Sequence, residues 1–232
     1  MEFSNSFIAP LFTIGGVTFY LTKTLLSTWF VMLALIIFAV VVRVRLRSFV
    51  DAPKAKSLQN AVEAMVETMS NFARDSLGQE LEFLGPYFFG VFAFILVSNL
   101  TGLLGFRPPT ADLAVTLGLG LSSFFLIHVL AIVRKRGRYF KEYLEPIPVF
   151  LPINLIGELA LPVSLSFRLF GNLLGGIIIM GLIYGMFPVF LKIGVPAVLH
   201  IYFDVFVGCL QAFVFTVLSM TFLHQKAGRE EL

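Results

Sequence analysis

Charged residues are scarce in this chain. Asp, Glu, Lys and Arg make up 13% of 232 residues, whereas hydrophobic residues make up 58%. A soluble domain carries about 25% charged residues, so this composition excludes one, and a mean hydropathy of +0.91 places the chain in a membrane. Cysteine is almost lacking too: Cys209 is alone, which excludes an internal disulfide and a Cys-rich metal site. There is no Gly-rich phosphate loop ending in Lys-Ser/Thr, no HExxH, and no Ser-His-Asp set outside the apolar segments. Nucleotide binding and bond-cleaving chemistry have no residues to carry them, and neither a metal nor a cofactor is expected. The alternation of apolar and polar residues that marks a transmembrane β-barrel is missing, because the apolar runs are continuous for about 20 residues. Repeated halves are missing as well, which weighs against the common secondary-transporter architectures. The start of the chain carries Glu2 and no basic n-region, so no removable signal peptide is expected.

What is present is a series of apolar helices forming a single membrane domain over 1–232. A first span covers residues 25–42 and ends at Arg43, Arg45 and Arg47. Residues 55–78 place Leu58, Val62, Met65, Val66, Met69 and Phe72 at helical spacing with charges between them. That pattern reads as an amphipathic helix, lying on the membrane surface or packed on a neighbouring subunit. Spans at 84–104 and 113–133 follow. The last two apolar segments, 146–185 and 189–223, hold 40 and 35 residues, or roughly 60 and 50 Å of helix against a hydrocarbon core of about 30 Å. They are expected to form a steeply tilted hairpin turning at residues 185–188. The fold class is therefore all-α integral membrane, with about five transmembrane helices and one surface helix.

The net charge of +3 does not imply nucleic acid, because the basic residues sit in short loops. Arg43, Arg45, Arg47, Lys54, Lys56, Arg74, Arg134, Lys135, Arg136, Arg138, Lys141, Lys226 and Arg229 fall on one side of the spans, and only Lys23, Arg107 and Lys192 on the other. The positive-inside bias then puts the N-terminus outside and the C-terminus in the cytoplasm.

Arg168 is left inside the membrane, within "SLSFRLFGNLLGG" at 164–176. On a helical wheel Gly157, Leu161, Ser164, Arg168, Gly171, Asn172 and Gly175 share one stripe, with Asn154 and Glu158 on its flank. In the last segment His200, Asp204, Gly208 and Gln211 recur at i, i+4, i+8 and i+11. Ionisable residues at membrane depth face a cavity or a partner and mark ion pathways. The blander readings are snorkelling for Arg168, mutual pairing or a structural hydrogen bond for Asp204 and Glu158, and a core position for His200. Gly171, Gly175 and Gly176 permit close helix packing.

The segments "LPINLIGELALPVSLSFRLFGNLLGG" and "LQAFVFTVLSMTFL", with the weaker block "SNLTGLLGFRPPTADLAVTL", make the chain resemble subunit a of the F-type ATP synthases, in its bacterial form. The resemblance implies a stator subunit with two ion half-channels beside a rotating ring of c-subunits, coupling proton or sodium translocation to ATP synthesis without catalysing it. It implies that Arg168 is the essential stator charge and that Asp204, Glu158, Asn172, Gln211, His200 and Asn154 line the ion path, while Asn99 and Asp112 match further polar positions. It implies the c-ring, subunit b or a peripheral stalk, and membrane lipid as partners, in a bacterial plasma membrane. Two positions depart from the family pattern. Ile177 stands where many relatives have an acid or histidine, and Leu161 where they often have a lysine. The competing readings are a free-standing ion channel or secondary transporter, which would conduct alone, and a structural scaffold, in which Arg168 would matter only for assembly.

Overall fold

A computed structural model describes residues 7–14, 17–46, 58–144, 147–186, 188 and 191–228. Strands β1 (Phe7–Ile14) and β2 (Val17–Thr22) form an antiparallel hairpin, pairing Phe7 with Thr22 and Ile14 with Val17. The hairpin leads directly into α1 (Lys23–Leu46), an apolar helix that closes on Arg43 and Arg45, where cations complement the carbonyl end of the helix dipole. Helix α2 (Leu58–Leu77) follows. Residues 55–57 of the expected surface helix lie outside the described residues, as do Arg47, Lys54, Lys56 and Arg229 from the charge pattern and residues 146, 187 and 189 at the edges of the last two segments.

Helix α3 (Gly85–Leu100) starts with proline in its first turn, where the missing N–H costs nothing. Asp112 caps α4 (Leu113–Lys135) by accepting the Ala114 N–H at 3.0 Å, the ordinary stabilisation of an exposed helix N-terminus. Arg136, at φ 51°, turns the chain sharply into the short α5 (Gly137–Glu142). Helix α6 (Leu151–Met186) then runs for 36 residues, about 54 Å at 1.5 Å per residue. Helix α7 (Leu191–His200) passes into a π-helical segment, Ile201–Val207, and then into α8 (Gly208–Ala227). Among the described residues, five segments are long and apolar enough to cross a membrane: Lys23–Arg45, Glu82–Leu104, Leu113–Lys135, Pro148–Met186 and Gly194–Ala227. The molecule is an all-α multi-pass membrane protein with one small hairpin ahead of its first span.

Helix α8 is the centre of the packing and contacts α2, α3 and α4, while α6 lies mainly along α4. One core gathers Leu77, Leu81, Phe88, Ile127, Met220 and Leu223 at the basic-loop end, and a second gathers Val91, Ile95, Leu165, Leu169, Ala212 and Phe215 deeper in the spans. Helix α2 buries Ala73 and Leu77 in the first of these cores. Part of its apolar face is thus covered by this chain's own α3 and α8, an intrachain partner that helical periodicity could not name. Met65 and Val66, nearer the start of α2, remain exposed.

The α4–α6 crossing fixes which way α6 faces. Gly120 sits opposite Pro162, where a Cβ would come within 2.8 Å of the Pro162 carbonyl oxygen and would clash with Ser166. Ser166 Oγ lies 2.6 Å from Pro162 O and 3.0 Å from Thr116 O, so its proton ties α6 to itself and to α4. With no water in the hydrocarbon core to satisfy it, the buried Ser166 hydroxyl finds its acceptors in backbone carbonyls.

Candidate functional site

With Leu165, Ser166, Leu169 and Leu173 buried against the bundle, the other face of α6 is turned outward, and Gly157, Ser164, Arg168, Gly171 and Asn172 are exposed on it. Gly157, Gly171 and Gly175 have no atom within 4 Å of an added Cβ. They do not pack against this chain, whereas Gly176 meets the Phe203 ring at 3.4 Å. Arg168 makes no ion pair and no side-chain hydrogen bond among the described residues. It is residue 18 of the 36 in α6, roughly 26 Å from either helix end, too far for its side chain to snorkel to an interface. A guanidinium has five N–H donors and no way to lose its charge. At that depth, an unpartnered one costs from about 2.5 kcal/mol upward.

One polar cluster lies beyond Arg168 toward the C-terminal end of α6. Asn172 Nδ2 donates to Gln211 Oε1 at 2.6 Å, joining α6 to α8, and the buried Gln211 Nε2 finds no acceptor. His200 Nδ1 and Asp204 Oδ2 are 2.6 Å apart, and Tyr184 OH stands 3.5 Å from His200 Nε2. Asn99, fully buried, donates to the Gly208 carbonyl at 3.0 Å and accepts from Thr110 Oγ1 at 2.8 Å. These groups border a cavity of about 440 Å³ lined by Asn99, Asn172, Tyr184, His200, Asp204 and Gln211 among others. Gly102 lets the cavity wall close on Asp204, since a Cβ there would lie 3.1 Å from the carboxylate. The π segment carries Asp204 itself; its wider turns are a common feature of functional sites. His200, Asp204, Gly208 and Gln211 all border this one cavity, and so does Ile177.

A second cluster lies on the other side of Arg168, ten residues back along α6, or about 15 Å. Glu158 is paired with Lys226 of α8. Its second oxygen, Oε2, is buried without a hydrogen-bond partner and lies 3.8 Å from His128 Nε2 of α4. His128 Nδ1 is 2.6 Å from Tyr139 OH, which is 2.6 Å from Tyr143 OH. Lys226 also sits 5.3 Å above the Tyr143 ring, a cation–π contact. Asn154 Nδ2 donates to the Tyr143 carbonyl at 3.0 Å.

The wheel stripe that joins Asn154, Glu158, Arg168 and Asn172 is therefore divided in space. Asn154 and Glu158 turn toward α4 and α8, Arg168 faces out, and Asn172 reaches the cavity. Glu158 and Asp204 do not pair with each other; each finds a cation or histidine of its own. Asp112 serves as a helix cap, and Leu161 is half-buried. Lys226, His128, Tyr139 and Tyr143 were not singled out from the sequence. A histidine inside an apolar span and a lysine in the last turn of another were the available signals, but nothing in linear order ties positions 128 and 226 to 158.

Comparison with known proteins agrees on one family. The family model described as ATP synthase A chain matches residues 25–224. The chain is similar to the sodium-ion-specific ATP synthase subunit a of Propionigenium modestum, 38% identical over 94% of this chain and 78% of that one. It is similar to ATP synthase subunit a of Moorella thermoacetica, at 32% identity over 92% and 93% of the two chains. The subunit a of Legionella pneumophila is 33% identical over 91% and 88%. None of these three relatives is named as a free-standing channel or transporter.

Proposed function

The chain belongs to the ATP synthase A chain family, the stator subunit that takes part in ion translocation within the ATP synthase complex, and from that premise we propose roles for its polar residues. Arg168 is the stator charge, facing the ion-binding carboxylate of each c-subunit as the ring turns past the outer face of α6. The observation that carries this is a guanidinium at the centre of a 36-residue apolar helix, on the outer face, without a partner among the described residues. Such a charge calls for an anion brought by another chain. A fixed cation favours the ionised form of a carboxylate beside it, so each rotor carboxylate gives up its ion at Arg168. The same charge keeps ions from slipping between the two half-channels.

The cavity bordered by Asp204, His200, Asn172 and Gln211 is one half-channel, and the Glu158 and Asn154 cluster belongs to the other. Their separation on either side of Arg168 supports this division. The subunit itself is non-catalytic, and the c-ring, subunit b or a peripheral stalk, and lipid are its neighbours. The basic loops and the Glu158 end of α6 face the cytoplasm, the N-terminus lies outside, and the membrane is a bacterial plasma membrane. Each charge that crosses contributes about 2.3 kcal/mol per 100 mV to rotation.

The test is ATP-driven ion pumping in vesicles holding the assembled complex with Arg168→Ala, followed by passive conductance once the soluble sector is stripped away. Pumping is expected to disappear while assembly and passive conductance survive. Pumping that persists would remove Arg168 from the centre of the mechanism and reopen the scaffold reading.

A further inference from the structure

We propose that His128, Tyr139 and Tyr143 form a proton relay leading away from Glu158, so that the ion using this half-channel is a proton; the inference rests on the half-channel assignment above. Three helices converge to build it: α4 supplies His128, α6 supplies Glu158 and α8 supplies Lys226, while Arg136 at φ 51° folds α5 back so that Tyr139 reaches the imidazole. Each ring nitrogen of His128 faces a different neighbour, Nε2 toward Glu158 Oε2 at 3.8 Å and Nδ1 toward Tyr139 OH at 2.6 Å. An imidazole held in this way is a bridge between an acid and a hydroxyl. Lys226 occupies Glu158 Oε1 and leaves Oε2 as a buried acceptor with no hydrogen bond of its own. Buried carboxylate oxygens are rarely left so, and this one lies 3.8 Å from His128 Nε2. The chain continues from Tyr139 OH to Tyr143 OH at 2.6 Å, where Tyr143 is half-buried at the basic-loop end of the molecule.

The transfer balances without any further reactant. Glu158, protonated at Oε2 by an ion released from the rotor, swings its carboxyl to close the gap and gives the proton to Nε2 of neutral His128. The Nδ1 proton of the resulting imidazolium moves to the Tyr139 oxygen as the Tyr139 hydroxyl proton passes to Tyr143, and the Tyr143 hydroxyl proton passes to water. The carboxylate is restored, and a ring flip with rotation of two hydroxyls resets the chain. One imidazole, with both its nitrogens, and two hydroxyl oxygens strung in a line can pass protons in this manner. A sodium ion cannot be passed along such a chain, because it has no proton-like means of hopping through an imidazole.

The experiment uses the whole complex in vesicles, with the soluble sector stripped for passive flux, and follows proton and 22Na+ conductance separately. Tyr139→Phe removes one oxygen and retains the ring contacts with His128, Phe140 and Tyr143; Tyr143→Phe, at a half-buried position, is the second variant should the first reduce assembly. A fall in proton conductance of about tenfold or more is expected for either, since positioned proton transfer contributes about 10²–10⁴ to a rate. A smaller fall in assembled complexes overturns the relay, as does sodium flux in the parent vesicles. Arg168→Ala in the same preparation separates the two readings. If it abolishes pumping while Tyr139→Phe conducts normally, only the relay fails; if it also pumps, the stator assignment fails with it.

Discussion

Asp204 and His200 show how little separates a structural pair from a functional one. The 2.6 Å contact between His200 Nδ1 and Asp204 Oδ2 satisfies one carboxylate oxygen, yet the same residues border a cavity of about 440 Å³. Asp204→Asn keeps the shape and removes the charge, and it is expected to lower passive ion conductance of the stripped complex by at least about tenfold. His200→Gln is expected to have the smaller effect, because the Asp204 carboxylate and its charge remain in the cavity wall. Conductance measured side by side in the two variants checks the order; a greater loss in His200→Gln would make the histidine the ion-handling group. Arg168, Asp204, Asn172 and Gln211 were all legible in the sequence because a polar residue inside an apolar run is conspicuous wherever it falls. Lys226 was read only as a loop charge, and the partnership between Glu158, Lys226 and His128 depends on three helices whose order in space no local pattern encodes.

The helices themselves were the easiest to read, since runs of twenty or more apolar residues admit few other structures. Two features escaped the periodicity. The π segment at Ile201–Val207 leaves the spacing of His200, Asp204 and Gln211 unchanged, so a helical wheel cannot register it, and the β1–β2 hairpin lies ahead of the first span where no span length applies. The facing of α6 depended on a glycine in a different helix. Gly120 admits the Pro162 carbonyl and Ser166 to the surface of α4, while Gly118, one half-turn away, opens onto empty space. Gly120→Ala is therefore expected to destabilise the α4–α6 crossing by about 1–3 kcal/mol, the usual cost of overpacking. Gly118→Ala should be neutral or mildly stabilising, because alanine favours helix by about 1 kcal/mol. Thermal unfolding of the purified complex in detergent distinguishes the two. Equal effects would mean that close approach at Gly120 does not hold α6 in place.

At the scale of the whole molecule, the bundle has an inner side that is packed and an outer side that is prepared for something else. In lipid, the exposed apolar residues of α1 such as Trp29, Leu33 and Ile37 need no protein cover. The outer face of α6 differs, because it combines Arg168 with Ser164 and Asn172 and with three glycines that meet nothing within 4 Å. Small residues allow a neighbouring helix to come close in a membrane, and closeness matters here because attraction between the guanidinium and a rotor carboxylate falls with distance. Under the proposed stator role, a smooth face and a charge without a partner among the described residues serve one end, which is to let successive rotor subunits pass at short range without locking in place. Gly171→Phe places a bulky ring one turn from Arg168 in a space this chain leaves empty. Membrane abundance of the subunit and assembly of the complex are expected to stay near the parent level, while ATP-driven pumping falls by about tenfold or more, as for a misplacement of about 1 Å between reacting groups. If pumping is retained with the ring present, the rotor does not travel along this face, and the unpaired arginine must meet its carboxylate from another direction.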